Sequence, residues 1–227
     1  MAEMWDAVLA DLTPLIDATA LDVPDDLDFA ATVEAIGAAG GRGAYAGYSM
    51  GGRLALSLAV TRPDLVTKLV LISAAPGIRD PAERDARAAA DAALATEVHR
   101  DGVDQFFAHW LAQPIFATLP TEHAQAGLRR AGNSATRLAH QLTALGQGAM
   151  PQLWDALATL TMPVLIVTGT LDPKYESIGT AMAARISHAQ HRRIKGGHAL
   201  PLERPARLAA HLATFLAEVP DPAREDA

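Results

Sequence analysis

The sequence predicts an α/β fold: a mostly parallel sheet with helices on both faces and a helical insertion. Three observations carry this. Short apolar runs rich in β-branched residues each end at a polar or glycine-rich turn. Helical stretches separate these runs, as parallel strands require. Between the second and third runs lie about 85 residues of helical pattern, far more than one crossover needs. A chain of 227 residues is long enough for one large domain with such an insertion. The expected division is 1–78 for the first part of the core, 79–150 for the insertion, 151–219 for the rest of the core and 220–227 for a flexible tail.

The first strand spans 44–48 and runs into Gly47-Tyr48-Ser49-Met50-Gly51-Gly52-Arg53, followed by the apolar helix 54–60. The second spans 68–73 and ends at Ala74-Ala75-Pro76-Gly77. The insertion opens on a well-formed helix start, with Asp80 at N-cap, Pro81 at N1 and Glu83 at N3. Further helices are expected near 102–112, 121–131, 134–146 and 151–159, punctuated by Pro114, Pro120, Gly132, Gly148 and Pro151. Such an insertion would sit over the strand ends as a lid, because ligands bind there in open parallel sheets. Arg87, Trp110 and Arg129 favour a lid over a mere packing subdomain. The third strand, 163–169, leads to Thr170-Leu171-Asp172, and a weaker fourth, 190–194, closes at Lys195-Gly196-Gly197-His198. A final helix over 205–218 carries Leu208, Leu212, Phe215 and Leu216 on one face.

Composition narrows the function. The net charge of −7, with no basic run, argues against a nucleic-acid binder and leaves room for a small acidic metabolite only beside a local arginine cluster. With no cysteine there is no disulfide framework and no thiolate metal site, and no apolar run reaches membrane-spanning length. The segment 1–11 holds three acids and no basic side chain, unlike a signal peptide, so the expected location is the cytoplasm. Oligomeric state is left open.

Gly-x-Ser-x-Gly between a strand and a helix fits a nucleophile elbow, whose strained turn lifts Ser49 above the sheet and aims the first helical amides at an oxyanion. A serine hydroxyl needs an imidazole to take its proton. His198 is the candidate, on a loop after a short strand; His99, His109, His123, His140, His188, His191 and His211 are read as solvated or core-edge residues. The imidazole needs a carboxylate, and Asp172 lies in the turn after the third strand. Alone it would be an ordinary turn residue. The chain order Ser49, Asp172, His198 is that of an α/β-hydrolase triad. No metal-binding His-x-x-x-His pair flanks a glutamate, and Gly37-Ala38-Ala39-Gly40-Gly41-Arg42-Gly43 precedes a strand instead of following one, so it is no phosphate loop.

With these residues assembled, the chain resembles the α/β-hydrolase superfamily from about Trp5 to Leu216. Within it the likeness is to the 2-succinyl-6-hydroxy-2,4-cyclohexadiene-1-carboxylate synthases of menaquinone biosynthesis. It is densest in the Ser-x-Gly-Gly-Arg elbow, Leu71-Ile72-Ser73-Ala74-Ala75-Pro76-Gly77-Ile78, Glu83-Arg84-Asp85-Ala86-Arg87, Trp110-Leu111-Ala112-Gln113-Pro114-Ile115-Phe116, Gly169-Thr170-Leu171-Asp172-Pro173-Lys174-Tyr175 and Gly197-His198. The resemblance implies a lyase without metal or organic cofactor, in which serine and histidine abstract a proton and the carbanion expels pyruvate. It implies Met50 as an oxyanion amide, Arg53 and Arg87 as carboxylate-binding arginines, and Tyr48 and Trp110 as pocket walls. Arg87 has an equal claim to a solvated face of its helix. A serine esterase or carbon–carbon hydrolase, and a catalytically impaired ligand-binding relative, are the alternative functions. Two departures stand out. Pro201 occupies the position where the family usually has a second histidine, three residues after the first. The resembling proteins also carry, before the position of Trp5, a central strand ending in a His-Gly turn that donates a second oxyanion amide. This chain starts at Met1-Ala2-Glu3-Met4-Trp5, so the fold is expected to be N-terminally shortened. The gap would reflect a truncated start, a degenerate relative, or a shift of 15–21 into the strand position.

Overall fold

A computed structural model of the chain describes residues 2–13, 16–124 and 132–218. After a 3₁₀ turn at Ala2–Trp5 come α1 (Asp6–Leu12), α2 (Phe29–Gly40), β1 (Gly43–Tyr48), α3 (Met50–Thr61) and β2 (Val66–Ile72). The insertion follows, with α4 (Pro81–Leu111), 3₁₀ turns at Pro114–Phe116 and Thr121–His123, and α5 (Ala135–Ala144). The remainder is a 3₁₀ turn at Ala156–Thr159, β3 (Val164–Gly169), α6 (Pro173–Ala183), β4 (Ala189–Ile194), α7 (Leu200–Glu203) and α8 (Pro205–Ala217).

The strands form one sheet in the order β1-β2-β3-β4, each pair parallel. Burial on both faces explains why the strands read as continuous apolar runs. Leu69, Leu71, Val164 and Ile166 join the core packed under α2, α3 and α6, while Val70, Ile72, Leu165 and Val167 join the core under α1 and α8. The pleat thus divides each strand between two cores. Most of these side chains are fully buried, and cutting one back to alanine there costs about 2–5 kcal/mol. Buried Lys68 on β2 closes the end of α8, its Nζ donating to the carbonyls of Phe215 at 2.9 Å and Leu216 at 2.8 Å, and also to that of Glu218. These are the orphan acceptors a helix C-terminus leaves.

Tyr48 lies in register with Ile72, and Ile72 with Val167. The carboxyl ends of three strands therefore align at one rim, and the loops leaving it carry the chemistry-bearing side chains.

Several expected elements differ. The helices near 80 and 102–112 are one run, α4, broken only at Gly102, which has φ 82° and ψ 171°. Asp80 caps it as expected, its carboxylate accepting the Glu83 N–H at 3.0 Å. Ser134 caps α5 in the same way, accepting the Arg137 N–H at 3.1 Å. No helix forms over 151–159 beyond the 3₁₀ turn at its end. There the Leu153 N–H is drawn to the Pro76 carbonyl at 2.7 Å, tying the segment to the loop after β2. Of the helix expected at 121–131, only the turn Thr121–His123 lies within the described residues, and Arg129 and the tail from 220 lie outside them. Residues 16–21 form no strand, so they do not fill a place in the sheet beside β1, which is its edge strand among the described residues.

Candidate active site

Ser49 sits between β1 and α3 with φ 50° and ψ −108°, a conformation that costs an L-residue of order 1–3 kcal/mol. The packing around it shows why glycines flank it. A Cβ on Gly47 would run into the Gly51 carbonyl, and one on Gly52 would lie 2.5 Å from the Ala74 Cβ and 2.8 Å from the Gly47 oxygen. Gly51, the second glycine of the Gly-x-Ser-x-Gly pattern, faces open space. Close strand–helix approach is therefore secured by Gly47 and Gly52, one position beyond the pattern. Met50 is the first residue of α3, so its amide has no intrahelical acceptor.

Three loops bring their polar residues together. His198 Nε2 lies 3.2 Å from Ser49 Oγ, and His198 Nδ1 lies 2.8 Å from Asp172 Oδ2. Asp172 also serves the helix that follows it, since its Oδ1 accepts the Tyr175 N–H at 3.3 Å and so caps α6, whose first residue is Pro173. The carboxylate is thus anchored at a helix N-terminus while its other oxygen orients the imidazole. Asp172 and His198 are both buried. The His198 ring is enclosed by Tyr175, Tyr48 and Phe116, with centroids 4.5, 5.4 and 6.1 Å away. Of these, Tyr48 alone was expected; Tyr175 and Phe116 are wall residues whose proximity no local pattern encodes.

Ser49 opens into a cavity of about 1380 Å³, larger than a usual small-molecule pocket because it continues along the outer edge of β1. Tyr48, Arg53, Arg87 and Trp110 all line it. Arg53 is 7% exposed, and its Nη1 has no hydrogen-bond partner. Burial pulls its guanidinium down to about 10, with neighbouring Tyr175 opposing the shift and Arg87 adding to it. It stays charged at neutral pH. Burial raises the Tyr175 phenol, the Arg53 charge lowers it, and its oxygen accepts a hydrogen bond from the Gln147 amide at 3.0 Å. Arg87 is half-exposed and donates through Nε to buried Asp91 Oδ1 at 2.8 Å, while Asp91 Oδ2 has no partner. Trp110 stacks on Phe106 at 5.4 Å and tilts against Phe116 at 6.2 Å, so an aromatic row from α4 reaches His198. Tyr175, Gln147 and Asp91 escaped sequence reasoning; the one available signal was Tyr175, three residues after Asp172 in a capped first turn.

The other histidines take ordinary partners where these are seen: His140 Nε2 meets the Leu27 carbonyl at 2.9 Å, and His191 Nε2 meets Thr168 Oγ1 at 2.8 Å. Among the described residues no group of three or more His, Asp or Glu side chains is placed to hold a metal ion, and no helix is long and apolar enough to cross a membrane.

The 2-succinyl-6-hydroxy-2,4-cyclohexadiene-1-carboxylate synthase of Enterobacter sp. (strain 638) is 34% identical over 171 residues, covering 75% of this chain and 65% of its own length. The protein of that name from Klebsiella pneumoniae (strain 342) is 34% identical over 173 residues, covering 75% of this chain and 67% of its own. The chain thus spans about two thirds of the length of the curated relatives it matches. Among solved structures, MenH from S. aureus superposes with a TM-score of 0.85 at 26% identity, covering 95% of this chain and 88% of that one. A thermophilic esterase from Thermogutta terrifontis, at 21% identity and a TM-score of 0.75 over 95% of this chain and 85% of its own, shares the fold. Residues 6–211 match the alpha/beta hydrolase family, and the chain belongs to that family.

Proposed function

We propose that this chain carries the catalytic centre of a lyase of the 2-succinyl-6-hydroxy-2,4-cyclohexadiene-1-carboxylate synthase type, acting in menaquinone biosynthesis. The observation that carries the reading is a buried guanidinium with an unpartnered donor, Arg53, in the same cavity as the Ser49–His198–Asp172 relay. An unpartnered buried cation is costly unless a ligand anion completes it, and a bidentate guanidinium suits a carboxylate. The named relatives support the choice of reaction.

In this reading His198 Nε2 draws the proton from Ser49 Oγ, and the oxygen takes a proton from a substrate carbon. The electron pair left on carbon forms a new carbon–carbon double bond as the bond to the enolpyruvyl oxygen breaks, and His198 gives its proton to the departing enolpyruvate, whose enol tautomerises to pyruvate. Asp172 holds the imidazole tautomer and offsets its charge. The Met50 amide faces developing negative charge, while Arg53 and Arg87 hold substrate carboxylates. The helical insertion acts as the lid, with Trp110 and Phe116 excluding water from the cavity.

Mixing the purified chain with the succinyl-enolpyruvyl-hydroxycyclohexene carboxylate and following pyruvate in a coupled assay tests this. The expected result is release that vanishes in Ser49→Ala. Labelling by a fluorophosphonate with ester turnover and no pyruvate would move the chain to the serine esterases. Binding of the acidic ligand that Arg53→Ala weakens, with no Ser49-dependent turnover, would make it a ligand-binding relative.

A further inference from the structure

Glu203, the last residue of α7, is 5% exposed and plays no part in the chemistry above. Its two carboxylate oxygens are both committed to backbone. Oε2 accepts the Gly197 N–H at 2.7 Å, and Oε1 accepts the Ala199 N–H at 3.1 Å. Those two residues flank His198 on either side. The carbonyls of this loop have other partners, Gly196 O accepting the Leu171 N–H and Ala199 O the Leu202 and Glu203 N–H groups, each at 2.9 Å, while the Gly197 and Ala199 amides are held by Glu203. Hydrogen bonds to an ionised acceptor are roughly twice as strong as neutral ones, and burial sharpens them.

We propose that Glu203 is a positioning residue for His198: by clamping the amides before and after it, the carboxylate sets the height of the imidazole, so that Nε2 meets Ser49 Oγ while Nδ1 keeps Asp172. The relay then has two carboxylates with different roles, Asp172 acting on the ring and Glu203 on the backbone that carries it. The inference rests on the Ser49–His198 pair of the proposed function and on no particular substrate.

Glu203→Gln separates positioning from mere stability. The amide keeps the size but accepts through one oxygen only and turns an N–H₂ toward the other backbone donor. Two readouts well below the melting temperature decide the matter: the rate at which a fluorophosphonate phosphonylates Ser49, and the far-downfield proton resonance of His198 Nδ1–H. The expected result is a folded protein phosphonylated about 10- to 100-fold more slowly, the cost typical of a misplaced reacting group, with that resonance broadened or lost. A lower melting point with both readouts unchanged would reduce Glu203 to a structural residue and overturn the proposal. Should the Gln variant not fold, Glu203→Asp, which keeps the charge but falls a methylene short of bridging both amides, is read the same way. If wild type resists the fluorophosphonate, the reading of Ser49 as activated by His198 fails, and the resonance alone decides for Glu203; its absence in wild type also sinks the clamp.

Discussion

Arg53 makes clear what a single buried charge costs and what it is for. Its guanidinium is 7% exposed, and burial pulls its folded value down to about 10, well below the ordinary arginine range. The unfolded chain therefore holds this proton more tightly than the folded one. The penalty is present in full below about pH 10 and fades only as pH rises from there into the ordinary arginine range. Across neutral pH the cost is constant, so Arg53→Met should raise the thermal midpoint by the equivalent of about 1–4 kcal/mol at any pH near 7. The same change should erase the rise in midpoint that an acidic ligand gives wild type. Thermal melts with and without a dicarboxylate check both halves, and a lower midpoint for the ligand-free variant would mean the charge stabilises the fold. Arg53 was legible through the likeness of its Ser-x-Gly-Gly-Arg segment to a known family. Glu203 was not legible, because its meaning lies in two amides across a tertiary turn, which no local pattern records.

At the scale of elements, the sequence marked strands and helix starts well and helix ends poorly. Asp80 could be read because a cap is a local bond between residues three apart; Ser134 makes the same bond at α5, whose start the sequence placed without naming the cap. The false helix at 151–159 failed for the opposite reason, since the Leu153 amide is claimed by Pro76, 77 residues earlier. Gly102 shows a break within a periodic run. Its φ of 82° and ψ of 171° lie in a region open only to glycine, though a Cβ there would touch nothing within 4 Å. Gly102→Ala should therefore cost about 1–3 kcal/mol through backbone strain alone, and the second half of α4 should re-aim to relieve it. That half carries Phe106, Phe107 and Trp110 to the cavity. The expected signature is a lower melting point together with weaker ligand binding; unchanged binding would mean the bend sets no part of the pocket.

For the whole molecule, β1 forms one border of the sheet among the described residues. Gly43 N–H donates to Leu65 O and Ser49 N–H to Ile72 O, so alternation turns the Ala44 and Ala46 amides away from β2 toward the outer side. Both alanines are exposed, and the cavity runs beside them. An open border of this kind invites strand addition by another chain. The purified chain should associate as its concentration rises, and the double change Ala44→Lys with Ala46→Lys should suppress this; light scattering that shows a concentration-independent monomer in both would contradict it. The triad loops were legible because each follows a strand in a parallel sheet whose ends align. The cavity's extent was not, because it depends on which border the sheet leaves open. The aromatic row above His198 also has an optical meaning. Trp154 is pinned between the Arg79 and Arg185 guanidinium groups at 4.8 and 5.3 Å, with its indole N–H on the Gly77 carbonyl. Trp110, stacked on Phe106 and tilted against Phe116, also packs on the cluster that holds Ala199 and Leu202. Of the three indoles, Trp5 and Trp110 line the cavity and Trp154 does not, so in a Trp5→Phe protein any displacement of that row changes the emission of Trp110 while Trp154 stays as an internal standard, and the protein reports on its own cavity without a dye.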